Sequence, residues 1–147
     1  LEKFEPAFGR QEIIEYKNRK ILVLLSKNPT GFNQSIEAVL DNSKDPNVLL
    51  VLNDRIPDGR DVSWIWDIDI ETLTNVSSNI IISGDRVWDM ALRVKYAGKN
   101  DFETFENLKD AIEKSVEQTN DEETLFILPT YSAMLEVRKI LSGRKIL

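Results

Sequence analysis

Cysteine and histidine are both absent from this sequence of 147 residues. Without thiols the chain cannot form disulfides or thiolate metal sites, and its composition is compatible with a reducing compartment. Without imidazoles it cannot build a Ser-His-Asp or Cys-His-Asp relay from its own residues. A zinc site would need carboxylates only, which zinc proteins rarely use. Any catalytic site on this chain therefore requires another chain or another domain to supply most of its groups.

Other features are missing as well, and each absence excludes a class of protein. The formal net charge is −6, so the basic face of a nucleic-acid or anionic-membrane binder is not expected. No apolar run approaches the roughly 20 residues of a membrane span, and no signal-peptide pattern opens the chain. The phosphate-binding motifs G-x-x-x-x-G-K-[ST] and G-x-G-x-x-G are absent. Because the chain begins at Leu1 without a methionine, we expect it to be a piece of a longer protein.

Length and periodicity predict one α/β domain, with residues 1–16 as a hinge or linker and residues 17–147 as the domain itself. A possible edge strand lies at residues 12–16. Aliphatic runs predict buried strands at residues 21–25, 48–52, 79–83 and 125–128. Helical spacing is found at residues 32–40, 88–95 and 108–118, and in a closing helix with Leu135, Ile140 and Leu141 inward. The alternation predicts a Rossmann-like, mostly parallel sheet with helices on both faces.

The segment 53–67 follows the second buried strand, where a sheet of this kind binds its ligands. It contains four aspartates, two arginines and two of the three tryptophans, bent by Pro57 and Gly59. One interpretation is a tryptophan-anchored connection whose acids only cap and solubilise. The other is a rigid platform that presents one carboxylate for chemistry. Spacing alone does not choose among the candidates, which are Asp54, Asp58, Asp61 and Asp67.

Several motifs resemble the C-terminal domain of Mur ligases. Phe-Gly-Arg-Gln-Glu at residues 8–12 and Ser-Lys-Asn-Pro-Thr-Gly-Phe-Asn at 26–33 are similar to its hinge and its first strand-turn. Asp-Gly-Arg-Asp-Val-Ser-Trp-Ile-Trp-Asp at 58–67 more specifically resembles the MurT family, the ligase subunits of the lipid II isoglutaminyl synthase of Gram-positive bacteria. Ser-Gly-Asp-Arg at 83–86 and Leu-Pro-Thr-Tyr at 128–131 are also similar to that family.

This resemblance implies an ATP- and glutamine-dependent ligase of two subunits. In that family MurT pairs with GatD, a class I glutamine amidotransferase that brings a cysteine nucleophile and a histidine. Ammonia released from glutamine amidates the ATP-activated α-carboxylate of D-Glu in lipid II, which gives D-isoglutamine for peptidoglycan. The main ATP and Mg²⁺ sites lie outside this chain, so the chain alone is expected to be inactive and to bind no cofactor or metal. The expected location is cytoplasmic, at the inner face of the membrane.

The resemblance also implies a role for Asp61, as the acidic member of the partner's glutaminase triad. A carboxylate bonded to the far nitrogen of an imidazole fixes its tautomer and stabilises the imidazolium. Such a group should be rigid and partly dehydrated, so we expect Trp64 and Trp66 to hold it. Arg60 is expected either to keep it ionised or to be a solvated surface residue. The alternative is that Asp61 is an ordinary turn or cap carboxylate.

Four further residues are candidates for ligand contacts, the first three through the same resemblance and Arg86 through its position after a buried strand. Arg10 at the hinge, with Lys27 and Asn28 at the first strand-turn, is expected to contact ATP. Where many Mur ligases read D-Y-A-H-N-P, this chain reads Leu-Leu-Ser-Lys-Asn-Pro and lacks the acid. The alternative is a solvated Lys27 and an Asn28 held extended by the following proline. Arg86 is expected to bind a substrate carboxylate, or alternatively to form a helix-start ion pair with Asp89.

A second class of function is a stand-alone small-molecule binding module of Rossmann-like shape. In that case Trp64 and Trp66 would stack on a ring of the ligand. The missing glycine fingerprint counts against this interpretation. The partner expected under the first class is a GatD-type glutaminase together with lipid II, with no nucleic acid and no transmembrane segment.

Overall fold

The computed structural model describes residues 11–142. The strands are β1 (Gln11–Tyr16), β2 (Arg19–Leu24), β3 (Asn47–Val51), β4 (Asn79–Ser83), β5 (Glu103–Thr104) and β6 (Thr124–Pro129). The helices are α1 (Pro29–Asn42), α2 (Ile70–Thr74), α3 (Val87–Tyr96), α4 (Leu108–Gln118) and α5 (Tyr131–Ser142). Two short 3-10 helices, Ile56–Asp58 and Ser63–Asp67, lie between β3 and α2.

The six strands form one sheet in the order β1-β2-β6-β3-β4-β5. Strand β1 is antiparallel to β2, and the remaining neighbours are parallel. The turn between β1 and β2 is made by Lys17 and Asn18, both at positive φ. The predicted edge strand is therefore present, and it closes one side of the sheet.

The buried strands follow from aliphatic runs that are covered on both faces. All five residues of β3 are buried, as expected for a central parallel strand. Helices α1, α2 and α3 pack on one face with alternate strand residues such as Leu50 and Ile82. Helices α4 and α5 pack on the other face with residues such as Leu49 and Ile81. The predicted fold class is confirmed.

Local capping explains where the helices begin and end. The Asn28 Oδ1 accepts a hydrogen bond of 2.8 Å from the Gly31 amide at the start of α1. Asn107 does the same for Asp110 at 2.9 Å at the start of α4, whose bounds match the helix predicted at residues 108–118. Beyond α3, Gly98 has a φ of 98°, which is the left-handed geometry that glycine adopts without strain after a helix.

The inward face of α5 was predicted wrongly in part. Of Leu135, Ile140 and Leu141, only Leu141 is buried, and the other two are half-buried. The buried apolar side chains of α5 are Ala133, Met134, Val137 and Leu141. The helix begins immediately after β6 at Tyr131, and this start sets the rotation of the whole helix against the sheet.

The insertion of β6 between β2 and β3 creates a crevice at the carboxyl edge of the sheet. The chain leaves β2 and β3 toward the first face, whereas it leaves β6 toward α5 on the second face. Ligands of open α/β sheets bind where the connections diverge in this way. The loops after β2, β3, β4 and β6 all meet at this edge.

Gly84 allows two of these loops to approach closely. It has a φ of 109°, and a Cβ at this position would lie 2.6 Å from the Leu52 nitrogen. The Leu52 carbonyl accepts a hydrogen bond of 2.9 Å from the Arg86 amide. The end of β3 and the loop after β4 are therefore in backbone contact, which a side chain at residue 84 would prevent.

Candidate functional site at the carboxyl edge of the sheet

Asn53 joins three loops at the carboxyl edge. It is 1% exposed, and its amide donates to the Thr130 hydroxyl at 3.0 Å. Its side-chain Nδ2 donates to the Ser132 hydroxyl at 3.0 Å, and its Oδ1 accepts from the Asp85 amide at 2.8 Å. A buried carboxamide satisfied on both sides orders the loops after β3, β4 and β6 relative to one another.

Asp58 caps the start of α5 from a distant part of the chain. Its carboxylate accepts from the Ser132 amide at 2.7 Å and from the Ser132 hydroxyl. The same carboxylate also accepts from the Arg55 amide at 3.0 Å, within its own turn. Gly59 follows with a φ of 90°. The bonds from Ser132 and Arg55 fix the Asp58 carboxylate in place, so its role is structural.

Arg55 ties the same segment to β4 and α5. Its guanidinium makes two bonds to Asp85, at 2.8 and 3.1 Å, and a third to Glu136 at 2.9 Å. The hydrogen bonds to Asp85 and then to Glu136 raise the pKa of Arg55 above its usual value. A planar fork that binds two carboxylates fixes orientation as well as charge.

Asp61 lies beyond this turn and is exposed. Its Oδ1 accepts a hydrogen bond of 2.9 Å from the Ser63 amide. This bond, with a smaller contribution from the Ser63 hydroxyl, lowers the pKa of Asp61 below its usual value. The carboxylate is therefore ionised at neutral pH and oriented by the first turn of the 3-10 helix Ser63–Asp67.

Two expectations about the surroundings of Asp61 were wrong. The carboxylate is not shielded from water, because Asp61 is itself exposed. The Ser63 amide, not Arg60, is the main cause of its low pKa. Rigidity is present nevertheless, since Val62 and Ile65 anchor the segment in the core.

The two tryptophans of the segment pack against different helices. Trp64 is half-buried and its ring lies 6.1 Å from that of Phe32 in α1. Trp66 meets the ring of Tyr96 in α3 edge-on, at 5.4 Å. They therefore fasten the segment at two points and do not form a common platform beneath Asp61.

Arg93 is a buried arginine that the sequence analysis did not single out. Its side chain is 5% exposed, and it donates to the carbonyls of Ile65 and Ile68, each at 2.8 Å. It also bonds Glu71 at 3.1 Å and thereby lowers the pKa of that carboxyl. The sequence contains a signal for this buried arginine. Arg93 lies between Met90 and Val94 on the core side of α3, and a cation in such a position requires buried acceptors.

Lys27 and Asn28 line a cleft of about 360 Å³ at the turn between β2 and α1, together with Leu25, Thr30, Gly31 and Gln34. Lys27 is exposed. Asn28 is extended, with φ −157° and ψ 171°, and its side-chain oxygen caps α1. The extended conformation of Asn28 expected from the following proline is therefore present. Arg10 lies outside the described residues.

Arg86 follows β4 and is bound by two carboxylates. It donates to Asp89 at 2.6 Å and to Asp54 at 3.0 Å. These bonds, the one to Asp89 first, raise the pKa of Arg86. The helix-start ion pair is therefore present, and a substrate carboxylate would have to share the guanidinium with it. Within residues 11–142, no group of three or more acidic side chains is placed to hold a metal ion.

We expect Asp58→Asn to lower the free energy of unfolding by roughly 1 kcal/mol, with no direct effect on glutamine hydrolysis by the complete enzyme. The asparagine keeps one oxygen for Ser132 or Arg55 but loses the second acceptor and the charge near the start of α5. Urea denaturation of the two proteins measures the difference. Asp61→Asn is the matched control, because Asp61 is exposed and should change the unfolding free energy little. Equal stability losses at both positions would contradict the distinction.

A family model described as MurT ligase C-terminal matches residues 25–134. The chain belongs to this MurT C-terminal family. Subunit MurT of the lipid II isoglutaminyl synthase (glutamine-hydrolyzing) of Streptococcus pneumoniae is 34% identical over 149 aligned residues, covering 99% of this chain and 33% of the relative. The chain therefore spans about a third of the length of that MurT protein.

Solved structures carry the MurT-family fold at low sequence identity. E. coli FolC in complex with ADP has a TM-score of 0.62 at 14% identity, covering 92% of this chain and 32% of FolC. MurF ligase from Thermotoga maritima, also with ADP, has a TM-score of 0.57 at 13% identity, covering 92% of this chain and 30% of MurF. The expected Mur ligase C-terminal type of fold is confirmed. Within the described residues, no helix is long and apolar enough to span a membrane.

Proposed function

We propose that this chain is the C-terminal domain of the ligase subunit of a two-subunit, glutamine-dependent amidotransferase. The enzyme converts the α-carboxylate of D-Glu in lipid II to the amide of D-isoglutamine, with ATP as the activating nucleotide. It acts in the cytoplasm, at the inner face of the membrane. The observation that carries the proposal is Asp61, an exposed and ionised carboxylate held by Ser63 in a chain that has no cysteine and no histidine.

The exposure and orientation of the Asp61 carboxylate support a role in an imported triad. One oxygen, Oδ1, accepts from the Ser63 amide, and the exposed carboxylate would accept a hydrogen bond from the ring N–H of a histidine on the partner. The partner is a GatD-type glutaminase whose cysteine attacks the amide of glutamine. A carboxylate on the far side of that histidine keeps the correct tautomer and stabilises the imidazolium that forms when the thiol loses its proton. Because Asp61 is exposed, a second chain can reach its carboxylate.

The ligase half of the reaction is assigned mainly to the rest of the protein. At the carboxyl edge of this domain, Lys27 and Asn28 would contact the nucleotide across the cleft they line, with Arg10 at the hinge. A lysine ammonium beside the start of a helix suits a phosphate group. Arg86 would orient a substrate carboxylate while it remains bonded to Asp54. ATP would supply the phosphoryl group that activates the substrate carboxylate, with ADP as the leaving group, and Mg²⁺ is assigned to residues outside this chain.

The packing of the tryptophans favours this proposal over a stand-alone small-molecule module. Trp64 packs on Phe32, and Trp66 is engaged by Tyr96. In addition, the guanidinium carbon of Arg93 lies 5.3 Å from the Trp66 ring centre. The two rings therefore offer no shared slot in which a ligand ring would be stacked.

The activity test compares the chain alone with the complete pair of subunits. We expect this chain alone to hydrolyse neither ATP nor glutamine, because the P-loop, cysteine and histidine are missing from it. The full-length ligase subunit with its glutaminase, ATP, Mg²⁺, glutamine and lipid II should give a product with one carboxyl converted to an amide, detected by mass spectrometry. The ligase subunit with ammonium chloride should give the same product without the glutaminase. Robust ATP or glutamine hydrolysis by the chain alone would overturn the assignment.

A further inference from the structure

The 3-10 helix Ser63–Asp67 sets the direction of the Asp61 carboxylate. Its first amide, that of Ser63, donates the hydrogen bond of 2.9 Å to Asp61 Oδ1. Only Val62 separates Asp61 from the helix in the chain, so a tilt or shift of the helix moves the backbone and the hydrogen-bond donor of this carboxylate together. The contacts that hold the helix in place therefore also hold Asp61.

Arg93 makes shorter bonds to this helix than the helix makes at its own two ends. The backbone bonds there are 3.1 Å from the Ile65 amide to the Val62 carbonyl and 3.4 Å from the Ile68 amide to the Ile65 carbonyl. Hydrogen-bond geometry in 3-10 helices is generally poor. Arg93 donates to the carbonyls of Ile65 and Ile68 at 2.8 Å each, and bonds from a charged donor are about twice as strong as neutral ones. The position of the helix therefore depends on this guanidinium.

The planar shape and the burial of the Arg93 side chain suit an orienting role. Its Nε donates to Ile65 and its Nη2 to Ile68, so one rigid group fixes two carbonyls relative to each other. The side chain is 5% exposed, and water therefore has little access to compete for these bonds. The Trp66 ring, 5.3 Å from the guanidinium carbon, adds a third contact to the same helix. Because burying a cation is costly, what the arginine adds over an apolar side chain is orientation.

We infer that Arg93 is a positioning residue for glutamine hydrolysis, which acts on Asp61 through the 3-10 helix. This inference rests on the proposed function, in which Asp61 orients the histidine of the partner subunit. An orienting carboxylate must meet the imidazole at hydrogen-bonding distance, and a displacement of about 1 Å caused by a remote mutation can cost about 100-fold in rate. Arg93 is buried, so its effect on the reaction is exerted only through the position of Asp61.

The test measures glutamine hydrolysis by the full-length ligase subunit together with its glutaminase. Arg93→Lys keeps the positive charge but cannot bridge both carbonyls as a planar fork. At saturating ligase subunit, kcat should fall about 10- to 100-fold. The KM for glutamine should change less than about twofold, because the carboxylate acts in the transition state. Glu71→Gln is the matched control, since it removes the ion pair of Arg93 but leaves both carbonyl bonds, and kcat should change less than about twofold.

A merely structural role for Arg93 would give a different pattern. Loss of folded protein would lower amidation driven by ammonium chloride by the same factor as glutamine hydrolysis, whereas we expect that amidation to be unchanged in Arg93→Lys. In an Asp61→Asn background, Arg93→Lys should cause little further loss of glutamine hydrolysis, since residues that act as a unit are strongly non-additive. A structural role would lower the rate by the same factor in both backgrounds.

The possible failures of this test are distinguishable. An unchanged kcat in a folded Arg93→Lys variant, an equal loss in both backgrounds, or a higher Kd for the glutaminase with no change in kcat would overturn the positioning role and leave the role of Asp61 intact. If Asp61→Asn itself hydrolyses glutamine at the wild-type rate, the proposed function falls together with the inference. If Arg93→Lys does not fold, Arg93→Met is measured in the same way and the same outcomes decide.

Discussion

Glutamine hydrolysis by the two-subunit enzyme should fall by about 10⁴ when Asp61 is replaced by asparagine, the scale of losing the orienting carboxylate of such a relay. The amide cannot stabilise an imidazolium, and it favours the wrong tautomer of the partner's histidine. Its Oδ1 still accepts from the Ser63 amide, so the local geometry of the segment is retained. The measurement is glutamate release per glutaminase at saturating ligase subunit.

Three controls accompany Asp61→Asn. The Kd for the glutaminase subunit, the thermal stability and the ammonia-driven amidation should all stay close to wild type. Hydrolysis that persists near the wild-type rate would remove Asp61 from the glutaminase site. If the ammonia-driven reaction is lost as well, Asp61 acts in the ligase site instead. Because the Ser63 bond lowers the pKa of Asp61, the carboxylate stays charged as pH falls through neutrality, and activity lost in that range belongs to another group.

Replacing Arg93 with methionine should destabilise the domain by about 3 kcal/mol. The substitution preserves much of the apolar volume but leaves the carbonyls of Ile65 and Ile68 without donors, at about 1–3 kcal/mol for each buried group. Trp66 also loses the cation beneath its ring. The measurement is the free energy of unfolding of this chain in urea, and its thermal midpoint should fall by about 6–12 °C.

Glu71→Gln separates the carbonyl bonds of Arg93 from its ion pair. Glu71 is 52% exposed, so the Arg93–Glu71 pair is screened by solvent and should contribute less than about 1 kcal/mol. We therefore expect a small effect for Glu71→Gln beside a large effect for Arg93→Met. The pKa of Glu71 is lowered by Arg93, so the small contribution of the pair should be present at neutral pH and disappear on acidification. A loss below about 1 kcal/mol in Arg93→Met would contradict the structural role of this arginine.

Short-range patterns were sufficient for most of the secondary structure. Strand β4 and helix α4 were predicted at their observed positions, because a buried strand and a helix start each depend on a few adjacent residues. The two 3-10 helices, α2 and β5 were not predicted, since such short elements leave no clear periodic pattern. The end of α3 near Gly98 follows the same logic. The rotation of α5 was less predictable, since both faces of that helix carry apolar residues and only the start at Tyr131 selects between them.

Local sequence did not distinguish the candidate carboxylates, and the tertiary structure separates them. Asp58 and Asp61 flank the same glycine and look alike in the sequence. The fold brings Ser132, which is 74 residues from Asp58, into contact with that carboxylate, whereas Asp61 is exposed and accepts a hydrogen bond from the nearby Ser63 amide. The proposed role of Asp61 came from the family motif, and its accessibility came from the fold.

The arginines show the same difference between what the local sequence indicates and what the tertiary structure decides. Composition counts them equally, yet Arg93 is a buried clamp, Arg55 and Arg86 are held by carboxylates, and Arg60 is exposed. The long buried strands, the local helix starts and the family motifs are encoded by neighbours in the chain, so the sequence alone was enough to determine them. The partners of each charge, the capping of α5 by Asp58 and the exposure of Trp88, Leu92 and Tyr96 on α3 depend on elements far apart in sequence that the sheet order brings together, so only the folded structure decided them.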